Sequence, residues 1–234
     1  MNYQRRLILE NIVNCRDLGG FPTKYGITKF GRFIRAGAVK RPTDNDIEQF
    51  RQYGIKTVID LRGDYETQTY PTNFERIGDI DVYHISLYEL NVAVGENADF
   101  SLDSVYRFII DNHTQNIAKV LKTIANAPEG AVLYHCFFGK DRTGILSMLL
   151  LSVAGAYQED IIADYQLTYT YIRPYIETHA DELWSQEPSA HYSLPETIRS
   201  LMEYINKKYG SVLDYISFCG VTNDEIEKIR TRFF

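Results

Sequence analysis

The sequence has 234 residues, of which 44% are hydrophobic and 24% charged, and its formal net charge is −6 at pH 7. This length and composition predict one globular domain over residues 1–234. The negative charge argues against a nucleic-acid binder, which would carry a basic stripe, but one local cationic site for phosphate remains compatible with it.

The first part of the chain alternates short strands with a helix. Residues 43–53 have the pattern of a helix, with Thr43 as the N-cap and Gly54 ending it. β-branched and apolar runs predict strands at residues 33–36, 55–61 and 81–87, the last followed by a polar loop.

The second part of the chain continues the alternation and then becomes helical. A helical stretch at 103–126 precedes a strand at 131–135, and a further helix starts at about Arg142. Helices between strands indicate an α/β fold, with a central and largely parallel sheet flanked by helices.

From Gln158 onwards the sequence predicts helices only. We expect Pro174 to kink or break the first of them. A helical insertion or lid at about 158–194 would include a break at 185–194, and C-terminal helices would follow. Thr222 and Glu225 have the spacing of a capping box at the start of the last helix.

Three cysteines, Cys15, Cys136 and Cys219, are too few and too widely spaced for a disulfide framework or a zinc pattern. The longest weakly polar run, at 145–158, is too short to span a bilayer. We therefore expect reduced thiols in a cytoplasmic protein, with no integral membrane association, no metal and no cofactor.

The stretch HCFFGKDRTG at 135–144 puts reactive groups between two apolar segments. Cys136 follows the predicted strand, and Arg142 opens the predicted helix. A loop whose N–H groups turn inward beside a helix N-terminus binds anions, and Gly139 permits the backbone angles this needs. The planar guanidinium of Arg142 can hold two phosphate oxygens. Cys136 is thus placed to attack phosphorus and form a phosphocysteine.

Other interpretations of this stretch are weaker. A buried structural cysteine beside a surface Arg–Asp turn would not need the electropositive setting that the spacing creates. A nucleotide-binding Walker loop is excluded, because Asp141 follows Lys140 and no glycine lies five positions before Gly139.

At this point the sequence resembles a known family. HCFFGKDRTG is similar to the signature loop of cysteine-dependent phosphatases, and more narrowly of the bacterial tyrosine/serine protein phosphatases. NCRDLGG at 14–20 and YGSVLDYISFCGVTNDEIEKIR at 209–230 resemble further segments of that family. The resemblance implies a cysteine-phosphatase-like α/β fold with helical additions, some of which form a lid. Cys15 departs from the family pattern, where an apolar or aromatic residue is usual.

The site residues follow from the loop and from the strand beside it. Cys136 and Arg142 are the predicted nucleophile and phosphate ligand. His135 would orient the loop, and the hydroxyl of Thr143 could donate to the thiolate or be only a residue of the first helical turn. The predicted substrate-binding positions are His135, Phe137, Phe138, Gly139, Lys140, Thr143, Gly144 and Arg62.

The general acid has two candidates. The chain contains no W-P-D acid loop, since its one tryptophan is Trp184. Asp141 lies inside the signature loop, and the family resemblance points to it. Asp60 ends a predicted strand, where α/β sheets place ligands, although Asp60 and Arg62 could equally form a structural ion pair. In the NCRDLGG motif, Arg16 and Asp17 could pair with each other or support the loop.

The predicted function is hydrolysis of phosphotyrosine, and of phosphoserine or phosphothreonine, in protein substrates. A phosphoinositide phosphatase is the alternative, because lipid phosphatases also carry a lysine at the position of Lys140. A phosphoprotein-binding module would not need Cys136. A rhodanese-like sulfurtransferase is disfavoured by Arg142 and the R-T-G ending of the motif.

Overall fold

The computed structural model describes residues 4–88, 101–179 and 191–234. In the described part of the chain, five strands form the main sheet in the order β1-β4-β7-β5-β6. Their bounds are β1 Val13–Asp17, β4 Phe33–Gly37, β5 Ile55–Asp60, β6 Asp81–His84 and β7 Ala131–Cys136, and a small hairpin joins β2 Pro22–Thr23 to β3 Gly26–Ile27. β1 runs antiparallel to β4, and the other pairs are parallel. The predicted α/β fold with a largely parallel sheet is confirmed.

Helices surround the sheet. They are α1 Asp44–Tyr53, α2 Asp64–Thr69, α3 Leu102–Asn112, α4 Thr114–Ala125, α5 Asp141–Ala154, α6 Gln158–Thr178, α7 Pro195–Tyr209, α8 Val212–Phe218 and α9 Asn223–Arg232, with a short 3-10 helix at Phe74–Ile77. None of the helices in the described residues is long and apolar enough to cross a membrane.

Alternation along the strands produces two cores. Side chains of successive residues point to opposite faces, so Val132 and Tyr134 pack in one core and Leu133 in the other. The larger core lies under α5, of whose 14 residues 12 are buried, and under α3, α4 and the C-terminal helices. Strand β7 is buried on both faces, which is the usual setting of a central parallel strand.

The sequence predicted the capped helices best. Thr43 and Asp46 form a capping box at α1, and Gly54 ends that helix in the left-handed conformation at φ 81°. Thr222 and Glu225 form the predicted capping box of α9. In both helices a side-chain acceptor satisfies backbone N–H groups that have no partner inside the helix, which is why the local pattern is informative.

Other boundaries were predicted less well. The stretch 103–126 is two helices, α3 and α4, separated at His113. Pro174 does not break α6, which continues to Thr178. The predicted strand at 81–87 ends at His84, and the strand at 131–135 extends to Cys136. β1 and the small hairpin were not predicted. The predicted loop at 90–100 and most of the break at 185–194 lie outside the described residues.

Candidate active site

The signature loop lies at the carboxyl edge of the parallel strands, where open α/β sheets bind ligands. Cys136 is the last residue of β7 and only 2% exposed, and α5 begins five residues later at Asp141. The N-terminus of α5 therefore follows the loop directly. Its aligned peptide dipoles and unpaired N–H groups favour a negative charge near the cysteine.

Two glycines let the loop lie directly on β4. Gly139 has φ 67°, and a Cβ there would come within 2.6 Å of the backbone of Ala36. A Cβ on Gly37 would lie 2.5 Å from the carbonyl oxygen of Phe138. Both positions thus require glycine because backbone packs against backbone, and Gly139 also needs the left-handed conformation.

Side chains hold the loop carbonyls from one side. Asn14 Nδ2 donates to the carbonyl oxygens of Phe138, at 3.0 Å, and Gly139, at 2.9 Å. Arg35 Nη2 donates to the Gly139 carbonyl at 2.7 Å. In a trans peptide the N–H points away from the C=O, so the N–H groups of Gly139 and Lys140 face the opposite side. This orientation is what an anion-binding nest requires.

A buried charge network fixes those donors. Asp164 on α6 accepts from Arg16 Nε at 2.8 Å and from Arg35 Nη1 at 2.7 Å, and all three side chains are buried. Burial opposes ionisation of Asp164, but the two guanidinium groups lower its pKa to about 2. Arg16 also donates to Asn14, so the network continues to the loop.

The open question about Arg16 and Asp17 has a clear answer. Arg16 pairs with Asp164 and not with Asp17. Asp17 accepts from the backbone N–H groups of Gly19 and Gly31 and from the hydroxyl of Tyr53. The NCRDLGG motif therefore contributes two separate polar arrangements, of which the one through Arg16 supports the signature loop.

Arg142 is held by a glutamate that the sequence did not suggest. Both terminal nitrogens of Arg142 donate to the Glu66 carboxylate, and Nη1 also donates to the carbonyl oxygen of Tyr88 at 3.1 Å. Burial alone would lower the pKa of Arg142, but its hydrogen bonds to Glu66 and the charge of Cys136 raise it. The guanidinium is thus oriented and kept charged beside the cysteine.

The two candidate acids have different surroundings. Asp141 Oδ1 accepts from the hydroxyl of Tyr106 at 2.7 Å and lies 2.9 Å from Lys140 Nζ, and the side chain is 33% exposed. Asp60 is buried, and its two oxygens accept from the backbone and guanidinium of Arg62. Burial opposes ionisation of Asp60, but His135 and Arg62 hold its pKa at about 2.

Arg62 and His135 both lie beside Asp60. The guanidinium of Arg62 pairs with the Asp60 carboxylate, and its Nη1 donates to the carbonyl oxygen of Tyr70 at 2.8 Å. His135 is fully buried, with Nε2 at 3.7 Å from Asp60 Oδ2, and burial lowers its pKa to about 4. Of the two readings for the 60–62 segment, the structure shows the ion pair.

The remaining residues of the signature loop are aromatic or polar, and most of them are buried or half-buried. The ring of Phe137 packs edge-on against Tyr70, and that of Phe138 against Tyr175 and His191. Lys140 is 2% exposed, so it is not a solvated surface lysine. The hydroxyl of Thr143 is buried and has no hydrogen-bond partner in the part of the chain that the structure describes.

The comparisons with known proteins agree with this arrangement. The model of a family described as the tyrosine phosphatase family matches residues 7–234. The chain belongs to the tyrosine phosphatase family. It is a cysteine-dependent phosphatase, specifically a protein-tyrosine phosphatase hydrolase that acts on phosphorylated substrates. The comparisons do not favour the phosphoinositide alternative.

Several relatives are similar over most of the phosphatase. A tyrosine-protein phosphatase from Nostoc commune is 29% identical over 217 residues, which cover 86% of this chain and 73% of the relative. The triple specificity protein phosphatase PtpB from Mycobacterium tuberculosis is 23% identical, with 93% of this chain and 95% of PtpB covered. Among solved structures, the core catalytic domain of the PP-IP phosphatase SIW14 from S. cerevisiae is 16% identical and covers 77% of this chain and 97% of that chain. Its TM-score is 0.39, and it adds nothing to the family assignment.

The sequence pointed to the signature loop but not to the side chains that hold it in place. Glu66, Arg35 and Asp164 were not singled out. Arg35 and Asp164 carried a weak signal, since each interrupts an apolar pattern: Arg35 lies in FIRAG and Asp164 in IIADYQL. A charge in a strand or on a helix face that is otherwise buried needs a buried partner. Glu66 carried no such signal.

Proposed function

We propose that the phosphatase hydrolyses phosphotyrosine in protein substrates through a phosphocysteine intermediate on Cys136. The observation that carries the proposal is the position of Cys136 between an oriented, charged Arg142 and a loop whose amides turn away from Asn14 and Arg35. A phosphate dianion placed there meets the guanidinium fork and the start of α5.

The reaction has two steps. In the first, the Cys136 thiolate attacks phosphorus, the S–P bond forms, and the P–O bond to the tyrosine breaks as Asp141 gives its proton to the leaving oxygen. In the second, water attacks the phosphocysteine and gives a proton to Asp141. The S–P bond breaks, inorganic phosphate leaves, and the thiolate is restored. The net change is one ester and one water converted to a phenol and phosphate.

Asp141 fits the proton transfer better than Asp60 does. Asp60 has a pKa of about 2 and its carboxylate is bound by Arg62, so near neutral pH it holds no proton to give. Asp141 lies in the loop itself and is one-third exposed. Its position next to Arg142 keeps it with the bound phosphate through both steps.

Aromatic side chains around the loop support tyrosine as the leaving group. Phe137 and Tyr70 lie with ring centroids 5.2 Å apart, and Phe138 lies beside Phe137 at 5.0 Å. A phenyl ring on the phosphate could pack against these half-buried rings, which an alkyl ester would use less. The similarity to a triple specificity phosphatase supports activity on phosphoserine and phosphothreonine as well, at lower rates.

The test is acid-quench trapping on a phosphotyrosine peptide. Wild type should show one added phosphoryl group on the peptide that contains Cys136, and Cys136→Ser should turn over no substrate yet still bind it. Cys219→Ser is the control, since Cys219 lies on the C-terminal side of α8 and should leave both trapping and turnover unchanged. A phosphoryl group found on another residue, or turnover by Cys136→Ser, would refute the mechanism.

A further inference from the structure

Two tyrosines from different helices meet behind Asp141. The hydroxyl oxygen of Tyr106, on α3, lies 2.7 Å from Asp141 Oδ1 and 2.7 Å from the hydroxyl oxygen of Tyr165, on α6. Tyr106 is fully buried and Tyr165 is 2% exposed. The two rings pack edge to face, with centroids 6.3 Å apart and planes at 89°. Both hydroxyls are therefore fixed by packing on α3, α5 and α6.

Hydrogen-bonding rules give the hydrogen bonds between Tyr165, Tyr106 and Asp141 one direction. A carboxyl oxygen that carries no proton only accepts, and each phenol has one hydrogen to donate. Tyr106 must therefore donate to Asp141, so its oxygen accepts from Tyr165. Burial, together with the charge of Asp141, raises the pKa of both tyrosines, which keeps both phenols protonated and able to donate. Successive bonds of one direction polarise and strengthen one another.

The contacts of Asp141 with Tyr106 and Lys140 both fall on one oxygen of its carboxylate. Oδ1 receives the Tyr106 hydroxyl and lies beside Lys140 Nζ at 2.9 Å. Among the described residues, both of these contacts fall on Oδ1, while the side chain as a whole remains one-third exposed. Oδ2 is thus the oxygen left to carry a transferable proton.

Gly144 makes room for this arrangement. A Cβ on Gly144 of α5 would lie 3.1 Å from two ring atoms of Tyr165, so glycine allows the ring to approach the first turn of the helix. The relay is therefore built into the same R-T-G ending that carries Arg142.

We propose that Tyr165 and Tyr106 form a positioning relay that holds Oδ1 of Asp141 and leaves Oδ2 to exchange the proton with the leaving group and with water. This inference rests on the proposed role of Asp141. Tyr106 and Tyr165 touch neither substrate nor the reacting atoms in this scheme. They act through Asp141, so their removal should affect proton delivery and leave phosphate binding intact.

The experiment measures kcat/KM for aryl phosphates of graded leaving-group basicity. For Tyr106→Phe we expect a loss of about tenfold or more on the most basic leaving groups and almost none on the most acidic, since a positioned general acid contributes about 10²–10⁴-fold in total. Tyr215→Phe is the matched control, because Tyr215 is equally buried but donates to the Ile110 carbonyl at 2.8 Å. It should leave the slope of the series unchanged.

Asp141→Asn and the double variant separate the possible failures. If Asp141→Asn steepens the series and Tyr106→Phe does not, the relay is wrong and the role of Asp141 stands. If Asp141→Asn leaves the series unchanged, both are wrong. In the double variant Tyr106→Phe should add no further slope to Asp141→Asn, because the two residues act in one chain. An additive effect would show that Tyr106 acts elsewhere.

Discussion

Asn14 Nδ2 lies 2.9 Å from the carbonyl oxygen of Gly139, although 125 residues separate them in the sequence. This bond joins the first strand of the sheet to the signature loop. Asn14 has φ 55°, in the left-handed region that asparagine tolerates better than most residues. Both its backbone conformation and its amide therefore suit this position.

Asn14→Gly should lower activity without straining the backbone, because glycine accepts the same φ. Two hydrogen bonds to the loop are lost, at about 1 kcal/mol each, so we expect kcat/KM for a phosphotyrosine peptide to fall by about tenfold or more. Asn126→Gly is the control, since its amide donates to Lys122 at the exposed end of α4. Equal activity of the Asn14 variant and wild type would show that the loop holds its shape without this donor.

Gly37→Ala tests the close packing of the loop on β4. Gly37 does not have a positive φ, so alanine is conformationally allowed there and the effect comes from crowding against the backbone of Phe138 and Gly139. A displacement of the loop by about 1 Å should cost about 100-fold in kcat/KM. Gly54→Ala provides the contrast: it strains a left-handed residue with no atom within 4 Å of the new Cβ, and it should lower the melting temperature while activity persists. Unchanged kinetics in Gly37→Ala would contradict the role of this contact.

Local signals explain what the sequence predicted. Cys136, Gly139, Asp141 and Arg142 lie within seven residues, so the prediction that they form one site rests on a short stretch of sequence and the strand and helix on either side of it. The capping residues Thr43 and Thr222 act within three residues of themselves. The order of strands and helices likewise follows from patterns a few residues long, which is why the α/β class was predicted correctly.

Contacts between residues far apart in the chain explain what the sequence did not predict. Glu66 meets Arg142 across 76 residues, and Arg16 meets Asp164 across 148. A single glutamate on a short polar helix has no feature that separates it from a solvated one until the fold buries it. Whether Asp60 and Arg62 pair with each other also depends on where the guanidinium turns, which spacing leaves open.

Glu66→Gln should impair the phosphate ligand and leave the fold in place. The amide retains the shape of the carboxylate but not its charge, so Arg142 loses its ionic partner in a buried setting. We expect weaker inhibition by inorganic phosphate and a fall of about 10- to 100-fold in kcat/KM, the size expected for a misplaced binding group. Glu48→Gln removes an exposed glutamate that pairs with Arg51, and it should change neither quantity. An effect of the same size in both variants would refute the specific role of Glu66.

His135 should make folding stability depend on pH. Its folded pKa is about 4, below the ordinary value of 6.5, because burial disfavours the imidazolium next to Arg62 and Arg142 despite the nearby Asp60. Above about pH 6.5 neither the folded nor the unfolded chain protonates this histidine. As the pH falls from there towards 4, His135 binds a proton in the unfolded chain but not in the folded chain. The stabilising effect of the neutral histidine is thus complete at high pH and is lost through this window, by up to about 3 kcal/mol.

The measurement is the free energy of unfolding by urea as a function of pH, in wild type and His135→Gln. Glutamine does not bind a proton in this range. The slope of the unfolding free energy against pH should therefore be smaller in the variant between about pH 6.5 and 4, by roughly 1.4 kcal/mol per pH unit, the value for one proton. The slopes are compared between about pH 6.5 and 5, because Asp60, with an ordinary pKa of 3.8 and a folded pKa of about 2, titrates below that range. Any general destabilisation by the substitution shifts the whole curve and leaves its slope alone. Parallel curves for the two proteins would therefore show that His135 is not the group that makes the fold sensitive to acid in this range.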